Sequence, residues 1–362
     1  MIVAYVSGHG YGHATRVGEV LRAIRAQAPD VPLGVVTAAP EKLFRDTVPG
    51  PLVFRLRECD MGLVQKGPLV IDEEATARRW REFVRGSEER AAEEGRWLRT
   101  VGARLVLGDV PPLAFEAAAQ AGVPAVGLAN FSWDWIYRHL APRQPALREA
   151  ADAAAVAYSK ATLLLQLPFA GDLAAFPRRE PIPMVARRPS VSRADARQRL
   201  GIPGDARCAL VSFGGIGMPA VEPRALAALA DLHFLIDAPA LSWPSNVVAV
   251  DAARRHALGM GYQDLVQAAD VVVTKPGYGI VTDAIAAGTR IVYTERGDFP
   301  EYPILVAEMQ RYVPCAHVGN GDFVAGRWRP AIESVLARPI PPPPDLTGAD
   351  VAARRLLSLA AR

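Results

Sequence analysis

This sequence predicts an α/β protein made of two doubly wound halves of similar size, and three features predict it. Short β-rich runs alternate with longer helical patterns from end to end. The strand-like runs are continuously apolar rather than alternating, as in parallel sheets covered by helices on both faces. A chain of 362 residues is also long enough for two domains of ordinary size. Half the residues are hydrophobic and 22% are charged, so there is apolar surface for two cores, and a disordered chain is excluded.

The elements follow in order. Residues 2–7 read as the first strand, followed by a glycine-rich loop, a helix over 15–28 and a strand at 33–37. A charged helix is expected over 74–99, where arginines alternate with glutamates as on a solvated face. Strand 104–107, helix 113–121 and strand 125–128 continue the rhythm. It pauses at 177–189, where Pro177, Pro181, Pro183 and Pro189 stand among arginines, and an extended linker is expected. Ser192-Arg193-Ala194-Asp195 then reads as a helix N-cap. Strands at 208–212, 234–236, 247–250, 271–274 and 290–294 build the second half, and prolines at 339–344 precede a last helix over 348–361. The expected division is a first domain at 1–176, a linker at 177–189, a second domain at 190–345 and a terminal helix at 346–362.

Composition narrows the function. Forty-one basic against 38 acidic residues leave +3, without the clustered excess of a phosphate-tracking surface, so no nucleic-acid partner is expected. Cys59, Cys208 and Cys315 are far apart, which suits neither a disulfide framework nor a structural zinc. The first apolar run is too short for a signal segment, and no stretch approaches the ~18 apolar residues of a membrane span. A cytoplasmic protein is expected. Arg178, Arg179, Arg187 and Arg188 would suit acidic lipid head groups, and equally a solvated linker.

Doubly wound sheets bind ligands beyond the carboxyl ends of their strands, so the loops there carry the chemistry. Ser7-Gly8-His9-Gly10-Tyr11-Gly12-His13 follows the first strand. His13 occupies the place of the third glycine of a G-x-G-x-x-G fingerprint, so a dinucleotide site is not expected, and no G-x-x-x-x-G-K-[ST] loop occurs. His9 and His13 lack the further ligands of a metal site and read better as acid–base groups. Asp109, at the end of the strand before Val110-Pro111-Pro112, is placed either to orient such a base or to cap the next helix. In the second half, Gly214, Gly215 and Gly217 follow one strand, and Lys275-Pro276-Gly277-Tyr278-Gly279 follows another. Backbone N–H groups of such turns suit a diphosphate. Asp283, one turn into the next helix, suits ribose hydroxyls or compensates the helix dipole. Trp133 and Asp134, within Phe131-Ser132-Trp133-Asp134-Trp135, read as a sugar-stacking platform facing a cleft, or as an aromatic anchor of the interior.

Four segments carry a family resemblance: GHGYGHATRV at 8–17, NFSWDWIY at 130–137, KPGYGIVTD at 275–283 and FPEYP at 299–303. They resemble the GT-B superfamily of nucleotide-sugar glycosyltransferases, and in particular the N-terminal glycosyltransferase-like part of plant L-arabinokinases. The galactokinase-like kinase half of those proteins has no counterpart here, so no kinase activity is implied. The resemblance implies two Rossmann-like domains about a central cleft, with the last helix crossing back to the first domain. It implies an acceptor bound by the first half and a nucleotide diphosphate sugar bound by the second. His13 matches the family's base with His9 in reserve, and Asp109 matches its orienting aspartate. Gly10, Gly12, Arg16, Trp133 and Asp134 fall on the acceptor side. Gly214, Gly215, Gly217, Lys275, Gly277, Tyr278, Gly279, Thr282, Asp283, Asp298 and Glu301 fall on the donor side. Having aspartate at 283 where the superfamily usually has glutamate shortens the reach to ribose by one methylene. The implied reaction is metal-independent glycosyl transfer without a cofactor, by inversion or retention. A nucleotide-sugar epimerase or hydrolase, or a non-catalytic sugar-nucleotide module, would use the same scaffold.

No D-x-D pair occurs in the chain, so helix N-termini and turn amides would neutralise the leaving diphosphate. Glycosyl transfer is therefore expected to survive exhaustive chelation. Loss of turnover in chelator, restored only by magnesium or manganese, would contradict this.

Overall fold

A computed structural model describes residues 1–66, 70–212, 223–238 and 243–361. The first half runs β1 (Ile2–Val6), α1 (Tyr11–Gln27), β2 (Leu33–Thr37), α2 (Lys42–Arg45), β3 (Val53–Leu56), α3 (Glu73–Val84), α4 (Ser87–Thr100), β4 (Leu105–Asp109), α5 (Pro112–Ala121), β5 (Ala125–Ala129), α6 (Trp133–Leu140), α7 (Ala146–Tyr158), β6 (Leu163–Gln166) and β7 (Arg179–Pro181). The second half runs α8 (Arg193–Leu200), β8 (Arg207–Ser212), α9 (Pro223–Ala227), β9 (Leu232–Ile236), β10 (Val247–Ala249), α10 (Ala252–Ala257), α11 (Tyr262–Ala268), β11 (Val271–Thr274), α12 (Tyr278–Ala287), β12 (Arg290–Tyr293), α13 (Glu301–Met309), β13 (Cys315–His317), α14 (Asn320–Val324) and α15 (Arg329–Leu336), and α16 (Gly348–Ala360) closes the chain.

Two parallel sheets result, ordered β3-β2-β1-β4-β5-β6-β7 and β10-β9-β8-β11-β12-β13. Successive side chains of β1 point to opposite faces, and both faces are covered. Ile2, Ala4 and Val6 pack in one cluster with Val17, Leu21 and Ile24 of α1, while Val3 and Tyr5 pack with Ala114, Phe115 and Ala118 of α5. Such double burial is why the strands read as continuous apolar runs. The α1-side cluster continues through Val185, Tyr278 and Val281 to Leu210, Val272 and Ile291, so the two halves share apolar core.

Three expectations shift. The charged stretch expected as one helix is two, because Gly86 adopts φ of 73°, a left-handed conformation that ends one helix and starts the next. Helix α1 begins at Tyr11, four residues earlier than expected, after Gly10 turns the chain with φ of 95°. Within the segment expected as a linker, Arg179–Pro181 adds a parallel edge strand to the first sheet through β6. Ser192 caps α8 as expected, its hydroxyl accepting from Asp195 N–H at 3.1 Å.

Helix α16 packs along α1 and returns the chain end to the first half, and Gln27 Nε2 donates to the Asp350 carbonyl at 3.3 Å. Its first residue leaves no room for a side chain: a Cβ on Gly348 would collide with the backbone carbonyls of Pro183 and Met184. Gly348→Ala is therefore expected to destabilise the protein by about 1–3 kcal/mol, as overpacking does. Denaturant unfolding checks this, and an unchanged midpoint would show that the α16 seat is looser than described.

Candidate functional site

The site grows from two strand ends. Parallel pairing sets Val6 of β1 beside Asp109 of β4, so the loop after β1 and the carboxylate ending β4 emerge together. The next residue, Val110, has φ of 76°, a conformation β-branched residues rarely adopt. Tyr158 holds it there by donating to the Val110 carbonyl at 2.7 Å. The early start of α1 places His13 in its first turn, where the imidazole stands edge-on to Phe131 at 5.6 Å.

Asp109 does not cap α5; it faces α1 instead. Its Oδ1 lies 3.0 Å from His13 Nδ1. Arg16, one turn further along α1, grips the same carboxylate with two N–H groups, Nε to Oδ2 at 2.7 Å and Nη2 to Oδ1. Arg16 Nη1 also donates to Asn130 Oδ1 at 2.8 Å, and Arg16 Nη2 stands 3.2 Å from His13 Nδ1. Asn130 Nδ2 in turn donates to Glu301 Oε1 at 2.5 Å, and Arg296 Nη1 donates to Glu301 Oε2 at 2.8 Å. A buried chain of hydrogen bonds and alternating charges thus crosses from α1 and β4 to the loop before α13. Burial alone would raise the Asp109 pKa, but the Arg16 guanidinium and His13 hold it below the ordinary aspartate value.

On the facing side, Gly277 precedes α12, and the N-terminus of α12 meets that of α1. A Cβ on Gly279 would sit 3.3 Å from Gly12 Cα, so the approach depends on both glycines. Arg16 also lies 5.2 Å from the Tyr278 ring centroid. Lys275, at the mouth of the same turn, is largely buried, and that burial, helped by Arg296, lowers its pKa to about 8.

Several expected donor and acceptor residues have other partners. Asp283 is buried, and both its oxygens accept from Arg187, Oδ1 from Nε at 3.2 Å and Oδ2 from Nη2. Each of its oxygens is thus engaged by that guanidinium, and Arg187 is part-buried against it rather than on a solvated linker. Tyr278 is buried edge-on to Phe169 at 6.0 Å, and Thr282 Oγ1 donates to the Gly279 carbonyl at 3.1 Å. Asp298 is exposed and pairs across the halves with His139 at 2.8 Å and Arg143 at 2.5 Å. Trp133 and Asp134 are only 3% and 8% exposed, which corrects the expected cleft-facing platform. Trp133 is stacked on Tyr137, with centroids 5.5 Å apart, and its Nε1 donates to Asp60 Oδ2 at 2.7 Å. Burial raises the Asp134 pKa. Gly214, Gly215 and Gly217 lie outside the described residues. Among the described residues, no three His, Cys, Asp or Glu side chains gather as a metal set.

Sequence reasoning missed Asn130, Arg296, Asp60 and Arg187 as members of these networks. Asn130 opens the NFSWDWIY segment directly after β5, and its place at a strand end was the available signal.

His9 forms a looser second pair. Its Nε2 is 3.9 Å from Asp60 Oδ1, and its ring stands edge-on to Trp133 at 6.1 Å. Gly62, with φ of 57°, makes room for that ring, since a Cβ there would collide with it.

Removing Arg16 would leave Asp109 buried without its cation. Arg16→Ala is expected to cost about 3–5 kcal/mol in urea unfolding, the range for breaking a buried pair. Because the folded Asp109 pKa is depressed, its contribution is full above the ordinary aspartate value near ~3.9 and is lost as pH falls below it. The difference between wild type and Arg16→Ala should therefore shrink in acid. A difference independent of pH would contradict the coupling.

No protein-family model matches the chain. It is 33% identical over 341 residues to L-arabinokinase of Arabidopsis thaliana, an alignment covering 92% of this chain and 32% of that protein. The chain thus spans about a third of the length of the curated relative it matches. Its structure is similar to that of the kitacinnamycin glycosyltransferase, with a TM-score of 0.62 at 17% identity over 99% of this chain and 94% of the other. The calicheamicin glycosyltransferase CalG4 gives a TM-score of 0.59 at 16% identity, over 99% and 94%. A putative UDP-N-acetylglucosamine 2-epimerase from Listeria monocytogenes gives 0.58 at 10% identity, over 98% and 94%. At such identities the structural likeness speaks for the fold alone. With its two parallel sheets and its returning terminal helix, the chain has the GT-B glycosyltransferase fold and is related in sequence to part of plant L-arabinokinase.

Proposed function

We propose that this chain transfers a sugar from a nucleotide diphosphate sugar to an acceptor hydroxyl, with His13 as general base and without a metal. The observation that carries the reading is the 3.0 Å contact between His13 Nδ1 and Asp109 Oδ1, at a helix N-terminus that meets the N-terminus of α12. An Nδ1–H donated to Asp109 leaves Nε2 with a free lone pair. That nitrogen takes the acceptor's hydroxyl proton as the acceptor oxygen bonds to the anomeric carbon. The bond from that carbon to the diphosphate breaks at the same time, and the leaving group carries away the electron pair. The first backbone N–H groups of α12, with Lys275 beside them, are suited to receive the developing charge. A single displacement of this kind inverts the anomeric centre.

Arg16 sets a limit on the base. Because the guanidinium shares Asp109, the role left to the carboxylate is to orient the imidazole. Asn130 and Glu301 link this machinery to the second half, so the placement of the second half and the alignment of His13 are coupled.

His13→Ala is expected to lower turnover on the order of 10²–10⁴-fold with nucleotide binding nearly intact, the range for a lost general base. Incubation with a panel of nucleotide sugars, with and without cell extract, gives the assay. Donor turnover that needs extract supports transfer, turnover without it favours an epimerase or hydrolase, and binding alone favours a non-catalytic module. Lys275 yields a pH prediction. Its pKa near 8 means it loses its proton as pH rises through that value, so affinity for the nucleotide diphosphate should weaken above pH ~8. Calorimetric titration at several pH values tests this, and Lys275→Ala should flatten the profile. An affinity that holds steady to pH ~10 in the wild type would remove Lys275 from the diphosphate site.

A further inference from the structure

A cavity of about 310 Å³ lies wholly within the first half, between α3, α4, α5 and α7. Its walls are mostly apolar, with Trp80, Phe83, Leu113 and Ala154 beside charged Arg90 and Glu116, and no residue of the second half lines it. Its volume is at the lower end of small-molecule sites, roughly 300–1,000 Å³. Its lining includes exposed Val84, Glu88 and Lys160 and buried Asp60, Met61 and Tyr137.

Asp60 gives the cavity its chemistry. The residue is 2% exposed, and only one of its carboxylate oxygens is satisfied, Oδ2 by Trp133 Nε1 at 2.7 Å. Oδ1 has no hydrogen-bond partner among the described residues, since His9 Nε2 stays 3.9 Å away. A buried carboxylate oxygen without a donor is costly, and one on a residue lining a mostly apolar chamber is best satisfied by a donor that arrives with a ligand. We infer that this cavity is a small-molecule site for a compact apolar ligand carrying a hydroxyl, which donates to Asp60 while the apolar body fills the space between the helices. The carboxylate accepts, so a hydroxyl fits where an ether or a carboxylate would not. Asp60 also neighbours His9, so occupancy is felt in the first loop.

Binding of 2-naphthol and of naphthalene, measured by protein NMR without any nucleotide sugar, tests the site independently of glycosyl transfer. The wild type is expected to bind 2-naphthol at least ~10-fold more tightly than naphthalene, the least that a hydrogen bond to a buried carboxylate should yield. Ala153→Trp, at an exposed lining position on α7, should block both probes while leaving the unfolding temperature unchanged. Asp60→Asn should remove most of the preference for the hydroxyl. Should that variant fail to fold, the wild-type comparison and Ala153→Trp still decide. Equal affinity for the two probes, no binding of either, or binding undiminished in Ala153→Trp would overturn the inference.

Discussion

Arg16 is the charge on which the arrangement of the site depends. Its guanidinium is buried, and each of its nitrogens is committed: two to Asp109, one of which also stands 3.2 Å from His13 Nδ1, and one to Asn130. A lone buried cation would be prohibitively costly, so Arg16 requires Asp109 to be ionised, and Asp109 in turn fixes where His13 points. Through Asn130 the same cation reaches Glu301 and Arg296 of the second half. Removing any one member leaves its neighbours buried with unmet charge or hydrogen-bonding capacity. That makes the network a specific lock between the halves rather than a general source of stability.

The second constraint is backbone proximity. Gly12 and Gly279 let the N-termini of α1 and α12 approach, and the positive ends of two helix dipoles then face one region. Buried Asp109 and Glu301 offset part of that field close to Arg16 and Arg296. Lys275 adds a cation whose proton is weakly held because it is desolvated. In the proposed reaction an entering anion gains from the two helix N-termini and from Lys275. The apolar cluster that runs from α1 through Val185 to Ile291 supplies the rigid frame, and α16 braces α1 from behind.

How much of this could be read from the sequence follows from the range of each interaction. The parallel sheets were legible because burial on both faces leaves continuous apolar runs, a local signal. The nearness of His13 and Asp109 was legible because strand ends of one sheet edge converge. The break at Gly86 was hidden by charged helix formers on both sides, which mask one left-handed residue. The edge strand β7 is three residues long and ends at Pro181, so it has no period to detect. Arg187 and Asp283 are 96 positions apart, and Trp133 and Asp60 are 73 apart. Pairings at such separations are set by packing of whole elements and leave no spacing signal. For that reason Asp283 looked available to a ribose, and Trp133 looked available to a sugar.

The protonation of one ring tests the central claim most directly. With Asp109 Oδ1 at 3.0 Å from His13 Nδ1, nearer than the competing Arg16 Nη2 at 3.2 Å, the neutral imidazole should carry its proton on Nδ1 and leave Nε2 bare. Nitrogen-15 NMR of the histidine side chains in the unliganded protein near neutral pH distinguishes the two tautomers, with His13→Gln supplying the assignment. A His13 signal dominated by the Nδ1–H form is the predicted result, and it should shift toward the ordinary tautomer mixture in Asp109→Asn. A ring protonated chiefly on Nε2 would contradict it, because no lone pair would then face the acceptor.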